Sequence, residues 1–171
     1  MASISIALTN NRYELVRLAE AVERFGAEQH LPNDTLTNIN LVLVSDNGSP
    51  IGVSGNQQSD PRFGDIRIGG YTLPSGQLAY AYLPPPVNGG TNAGDIFFNT
   101  RARFTFDKLY RVALHEVGHA LGLAPSTDPA SVMFNILNQN PALAPSDVSA
   151  IRELYGVRVA DPHESSNGNN S

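Results

Sequence analysis

The sequence predicts an α+β domain in which several short strands form one sheet and helices pack against it. The chain has 171 residues, the length of one domain with a short tail. Short apolar runs between turn residues are typical of strands, and apolar residues spaced three and four apart are typical of helices. We expect one domain over residues 1–157 and a polar, disordered tail over residues 158–171.

The first third of the chain predicts a strand, a helix and a second strand. Residues 4–8 alternate between apolar and small polar side chains, which favours a strand. Apolar side chains from Leu15 to Phe25 recur at helical spacing, and Gly26 suits the end of that helix. The apolar run Ile39–Val44 is typical of a buried strand, and it is followed by a Gly-, Ser- and Asn-rich loop.

The middle of the chain predicts three further strands. Strand patterns occupy residues 64–68, 77–83 and 94–98. The last two are separated by a proline- and glycine-rich stretch, residues 84–93, which predicts a surface loop.

The last third predicts two helices. The first runs from about Asp107 to Leu121, and Gly122 is placed to end it. The second runs from a Ser146 cap to Tyr155. An irregular, proline-punctuated stretch connects them.

Composition excludes several classes of function. The net charge of −5 argues against nucleic acid as a partner and against binding to an anionic membrane surface. No apolar run approaches the 18 residues or so that a membrane span needs. The chain has no cysteine, so disulfides, iron–sulfur clusters, thiolate zinc sites and cysteine nucleophiles are excluded. Any metal site must draw on four histidines and on carboxylates.

The predicted helix near Asp107 carries the motif H-E-x-x-H, from His115 through Glu116 to His119. A spacing of four places both imidazoles on one helical face, with Cβ atoms about 5–6 Å apart. Two nitrogens can then reach one zinc ion at about 2.0–2.1 Å. Glu116 projects toward the open side of that ion, where a carboxylate can activate a water as general base.

Chance is the alternative explanation of this motif. Composition alone produces such a pentapeptide in about one chain of several hundred, and a helical histidine is usually structural. Here two histidines bracket a glutamate in an otherwise apolar helix, which favours the zinc site.

The motif continues as His115-Glu-Val-Gly-His-Ala-Leu-Gly-Leu-Ala-Pro-Ser-Thr-Asp-Pro-Ala-Ser-Val-Met133. It resembles the metzincin signature H-E-x-x-H-x-x-G-x-x-H with a following methionine turn, and within metzincins it is similar to matrixin (matrix metalloproteinase-like) catalytic domains. The resemblance covers about residues 10–157. Four further segments follow the order and spacing of that family, namely residues 64–70, 78–82, 94–99 and 147–156.

The resemblance implies a metzincin-like single domain, with a mixed twisted sheet, two long helices packed against it and a C-terminal helix. It implies a zinc-dependent endopeptidase with one catalytic zinc ion held by His115 and His119. Glu116 would deprotonate the attacking water and pass the proton to the leaving amine. Met133 would form the apolar surface beneath the metal, and Gly122 would let the chain leave the helix toward it.

The resemblance also implies where a protein or peptide substrate binds. An extended peptide would add to an edge strand that contains Leu78, Ala79, Tyr80 and Ala81. Residues 134–144 would form the wall of a side-chain pocket with an apolar preference. Family resemblance places the protein outside the cell, although no signal peptide is visible in this sequence. The oligomeric state stays open.

One position departs from the family in a way that bears on activity. Pro125 stands where the third zinc-binding histidine of the signature belongs, and proline has no side-chain donor. A catalytic zinc normally has three protein ligands and a water. Candidate substitutes are Asp128, Glu153 and His163, none of which is favoured over the others. Two functions therefore stay open: an endopeptidase, or a catalytically impaired or inactive peptide-binding domain.

The sequence argues against a structural zinc and leaves calcium open. Tyr80 and Phe97 stand where animal matrixins have histidines for a structural zinc, so no structural zinc is expected. Calcium stays open, because Asp95, Asn99 and the carbonyls of residues 88–93 are suitable oxygen donors. Asp and Asn in turns more often serve the turn itself.

Overall fold

The computed structural model of the chain describes residues 2–8, 37, 39–44, 49, 52–60, 62, 64–135 and 142–157. The helix predicted at Leu15–Phe25 and the tail at residues 158–171 lie outside this part. The strands are β1 (Ala2–Leu8), β2 (Ile39–Val44), β3 (Ile66–Tyr71), β4 (Ala79–Ala81) and β5 (Ile96–Asn99). The helices are α1 (Phe106–Ala120) and α2 (Pro145–Tyr155), with a 3-10 turn at Gly90–Asn92.

The five strands form one mixed sheet in the order β2-β1-β3-β5-β4. The first four strands in that order are parallel to one another, whereas β4 is antiparallel to β5. A mixed sheet with helices segregated from the strands is the predicted α+β class, which the structure confirms. Strand β4 lies at the edge of the described sheet, so one side of its backbone faces away from the other strands.

One face of the sheet packs against α1 and forms the main core. Side chains alternate along a strand, so Ala79 and Ala81 face the helix while Tyr80 points to the other side and is 43% exposed. The small alanines let α1 approach β4 closely. The buried residues of this core are Ile66, Ile68, Ala79, Ala81, Ile96, Phe98, Leu109, Val112, Ala113, Val117, Ala120 and Leu121.

Helix α1 has the bounds that the sequence predicted to within one residue. The Thr105 hydroxyl accepts a hydrogen bond from the Lys108 N–H at 3.3 Å and caps its start. At the other end Gly122 has φ +95°, a conformation that side chains with a Cβ rarely adopt. The chain therefore leaves the helix sharply after Leu121.

Helix α2 corrects one prediction. It begins at Pro145 after an Ala144 cap, so the expected Ser146 cap is wrong. Proline suits the first helical position because its missing N–H would have no partner there. The Asp147 carboxylate takes over the capping role by accepting from the Ala144 N–H at 2.8 Å.

Strand β4 is shorter than the predicted residues 77–83, although its hydrogen bonds continue past its ends. Asn99 N–H donates to Leu78 O at 2.8 Å, and Tyr82 N–H donates to Asp95 O at 2.9 Å. No helix in the described part of the chain is both long and apolar enough to cross a membrane.

Candidate functional site

Two imidazoles of the H-E-x-x-H motif face each other near the end of α1. His115 and His119 lie one helical turn apart, with ring centroids separated by 4.7 Å and ring planes at 90°. Their Nε2 atoms are 3.2 Å apart. The spacing of four therefore does what the sequence predicted, since it brings the two rings to one side of the helix.

Backbone carbonyls fix the tautomer of both rings. His115 Nδ1 lies 2.7 Å from Val132 O, and His119 Nδ1 lies 3.0 Å from Leu123 O. A carbonyl oxygen only accepts, so each Nδ1 carries the proton and donates it. In a neutral imidazole, Nε2 then holds a lone pair. Burial lowers the pKa of His119, the hydrogen bond to Leu123 opposes this, and repulsion from His115 lowers it again.

This donor pair fits a tetrahedral metal ion. Two nitrogens at about 2.05 Å from one tetrahedral ion lie about 3.3 Å from each other. The observed 3.2 Å between the Nε2 atoms of His115 and His119 is close to that value. Each Nδ1 donates to a backbone carbonyl, the usual arrangement for a metal-bound histidine.

Glu116 lies on the same turn of helix and is held by the edge strand. Its side chain is buried, with 8% exposed. Burial raises the pKa of Glu116 to about 7, and a hydrogen bond from the backbone of Ala81 lowers it in part. The donor in that bond is the N–H, so a backbone group of β4 orients the carboxylate.

A cavity of about 910 Å³ runs along β4 and over the three motif residues. Ala79, Tyr80 and Ala81 of the predicted substrate strand contribute to its wall, whereas Leu78 packs against the core instead. The predicted pocket wall at residues 134–144 lies partly outside the described residues. The remaining lining residues are Leu83, Pro84, Pro85, Pro86, Val87, Asn88, Leu121, Gly122, Leu123, Ala124, Pro125, Leu154 and Tyr155.

Met133 packs beneath the histidine-bearing turn of α1. Its side chain is 2% exposed and belongs to a small apolar cluster with Leu114, Leu123 and Val132. Its sulfur lies too close to Gly118 for a Cβ to fit between them, so Gly118 provides the space that Met133 fills. The sequence alone predicts no role for Gly118. A glycine inside a helix costs about 1 kcal/mol relative to alanine. Its presence in the middle of this predicted helix could therefore have indicated a packing role.

Asp147 braces the turn that carries Met133, a role that the sequence alone does not predict. Its carboxylate accepts hydrogen bonds from the Ser131 hydroxyl, from Val132 N–H at 3.0 Å and from Ala144 N–H at 2.8 Å. Because Val132 O accepts from His115 Nδ1, Asp147 fixes the orientation of that imidazole indirectly. The sequence does show an acidic residue in the first turn of the predicted helix. Such a residue is equally consistent with capping of the helix alone.

Pro125 is exposed and lines the cavity beside the two imidazoles. Among the described residues, no three His, Cys, Asp or Glu side chains are grouped so that they could hold a metal. Asp128 accepts from Ala130 N–H at 2.9 Å and from the Ser146 hydroxyl at 2.8 Å, and these bonds lower its pKa. Glu153 is exposed and does not line the cavity, and His163 lies outside the described residues.

The side chains at the two further metal positions that the sequence suggested make contacts within the protein. Tyr80 and Phe97 are cross-strand partners, and both contact the ring of Tyr82 at centroid distances of 5.1 and 6.0 Å. These rings offer no nitrogen donor for zinc. Of the calcium candidates, Asp95 accepts from Arg67 N–H at 2.8 Å, and Asn99 turns toward residues 73–77 instead of residues 88–93.

Comparison with known proteins agrees with this geometry. The Matrixin family model matches residues 67–156, which run from the second residue of β3 to the end of α2 and contain all three motif residues. An interstitial collagenase of Oryctolagus cuniculus is 40% identical over 89 residues, which are 48% of this chain and 18% of that protein. A matrilysin of Felis catus is 40% identical over 94 residues, covering 50% of this chain and 34% of that protein.

A third relative, matrix metalloproteinase-20 of Homo sapiens, is 41% identical over 93 residues, covering 50% of this chain and 18% of that protein. The matched region is therefore a minority of each relative's length. Together with the fold, these relatives support a metalloendopeptidase-type domain. The chain belongs to the matrixin family. Membership in this family implies the use of zinc and calcium, and in the described structure the imidazole pair of His115 and His119 is suited to a zinc ion.

Proposed function

We propose that the chain is a zinc-dependent endopeptidase domain whose site consists of His115, Glu116 and His119 beneath β4. One observation carries the proposal: both Nδ1 atoms donate to backbone carbonyls, so two Nε2 lone pairs converge at 3.2 Å. Such a pair beside a buried carboxylate is suited to a zinc ion. When bound, zinc supplies Lewis acidity to a water and to the scissile carbonyl.

Glu116 acts as the general base. It takes a proton from the attacking water and passes it to the leaving amine, which lets the peptide bond break. Its burial excludes bulk water from the carboxylate, and the hydrogen bond from the Ala81 backbone orients it. His115 and His119 keep the orientation that their carbonyl partners impose, so the site needs little rearrangement during the reaction.

The substrate binds as an extended peptide along β4. The backbone hydrogen-bonding groups of successive residues point to opposite sides of a strand. Leu78 O and Tyr82 N–H both bond toward β5. In an antiparallel ladder, the backbone groups of Ala79 and Ala81 then point toward the cavity. An added peptide strand would bond to the Ala79 backbone and to the Ala81 carbonyl, while the Ala81 N–H holds Glu116, and the peptide would lie across the catalytic groups.

The alternative is a catalytically impaired or inactive peptide-binding domain. The observation that favours it is Pro125 together with the lack of a third ligand group among the described residues. Loss of an outer-shell partner already reduces metal affinity about 10–100-fold, so a missing direct ligand should cost at least as much. Such a domain would keep the cavity and β4 while holding zinc weakly.

Zinc stoichiometry and peptide cleavage distinguish the two functions. We expect about one zinc per chain after dialysis against zinc-containing buffer, and cleavage of a peptide library that E116A abolishes. If the wild-type protein cleaves nothing while P125H binds zinc tightly and cleaves, the impaired function is correct. If neither protein binds zinc, the metal-dependent proposal fails as a whole.

Location and domain extent complete the proposal. Family membership supports a secreted or extracellular protein. The matched residues 67–156 lie inside the domain that we propose for residues 1–157.

A further inference from the structure

The loop between β3 and β4 turns several backbone carbonyls toward one side chain at the end of β5. Asn99 Nδ2 lies 2.7 Å from Gln77 O and 3.4 Å from both Leu73 O and Pro74 O. One of its two hydrogens therefore points to Gln77, and the other is shared between the two longer contacts. Asn99 is 4% exposed, so solvent does not compete for these carbonyls.

The orientation of this amide is fixed by the groups on its other side. Asn99 Oδ1 accepts hydrogen bonds from Leu73 N–H at 3.3 Å and from Arg101 N–H at 3.0 Å. Exchanging oxygen and nitrogen would put hydrogens against hydrogens there and oxygens against three carbonyls on the opposite side. The NH₂ group therefore faces the carbonyls.

Converging carbonyl oxygens are also what a hard cation such as calcium binds. Here the partial positive charge of the Asn99 NH₂ group stands where that cation would have to be. Calcium would need the amide to withdraw, so the native residues do not fit it. An aspartate at this position would instead place a negative oxygen among the carbonyls and leave them without a donor.

We infer that the side-chain amide of Asn99 closes the β3–β4 loop in place of a cation, and that N99D converts the loop into a calcium site. The loop matters because it leads directly into β4. The backbone of Asn99 also donates to Leu78 O at 2.8 Å, so one residue fixes both the loop and the start of the edge strand. This closure does not depend on the proposed peptidase function.

Hydrogen exchange over residues 72–78, measured by mass spectrometry, reports on the loop itself. Wild type, N99D and N99A are compared in calcium-free buffer and with 10 mM calcium, about tenfold above the Kd of a weak calcium module. N135D, which adds the same charge at an exposed asparagine, serves as the matched control. N99D is purified in calcium so that its fold is established before the ion is removed.

We expect wild-type exchange in the loop to be the same in both buffers. N99D should exchange rapidly without calcium and about tenfold more slowly with it, N99A rapidly in both, and N135D like wild type. The inference is overturned if calcium slows the wild-type loop, if N99D does not respond to calcium, or if N99A is as protected as wild type. None of these outcomes depends on zinc or on cleavage, so the test is separate from that of the proposed function.

Discussion

Replacing Asp147 should weaken both the fold and the metal site, because one carboxylate supports both. It is 3% exposed and accepts from the Ser131 hydroxyl and from the N–H groups of Val132 and Ala144. Val132 in turn holds His115 through its carbonyl at 2.7 Å. Losing the carboxylate should therefore loosen the start of α2 and the turn that carries Met133. Through that turn it should also loosen the His115 imidazole.

The magnitude follows from the groups left without partners. D147A leaves two buried N–H groups and one hydroxyl unsatisfied, and each buried group of this kind costs about 1–3 kcal/mol. The hydroxyl can rotate to another acceptor, so we expect D147A to lower the free energy of unfolding by about 3–5 kcal/mol. D147N keeps the shape, since its oxygen can accept from both N–H groups. It should lose only charge assistance, about 1–2 kcal/mol.

The assay combines urea unfolding of the metal-free variants with zinc affinity measured by competition against a chromophoric chelator. We expect D147A to bind zinc about 10–100-fold more weakly than wild type, with D147N between them. E153Q, at an exposed position on the same helix, should change the unfolding free energy by no more than about 0.5 kcal/mol. The coupling is refuted if D147A is unstable yet binds zinc as wild type does.

Three further predictions concern packing, a helix contact and pH. G118A should destabilise the wild type, because overpacking against Met133 costs about 1–3 kcal/mol, but stabilise an M133A background by about 1 kcal/mol, as a double-mutant cycle would measure. Y155F removes a 2.9 Å hydrogen bond to the end of α1 and should cost about 1 kcal/mol in urea unfolding. Arg62 lowers the pKa of Asp60 to about 2, so wild type should have a higher urea midpoint than D60N at pH 5, a difference that shrinks as pH falls from 4 toward 2. Equal midpoints at pH 5 would contradict this.

The local elements could be predicted from sequence because their causes are local. The apolar spacing of α1, its Gly122 end and the short apolar strands were visible in the sequence, and the structure has them within a few residues. The N-cap of α2 was predicted two residues too late, at Ser146 instead of Ala144. Proline at the first helical position and a carboxylate reaching back to Ala144 replaced the Ser146 cap, and propensity alone does not rank these alternatives.

The sequence by itself determined the His115, Glu116 and His119 arrangement, since helical geometry converts a spacing of four into a shared face. It also determined the departure at Pro125. Only the tertiary structure decided which atoms hold these residues: Val132 O and Leu123 O on the imidazoles, and the Ala81 backbone on the carboxylate. Backbone groups carry no identity in a sequence, so their pairing becomes known only when distant segments are brought together. For the same reason, the sequence left a calcium role for Asn99 open, and only the fold showed that its amide faces the carbonyls of a neighbouring loop.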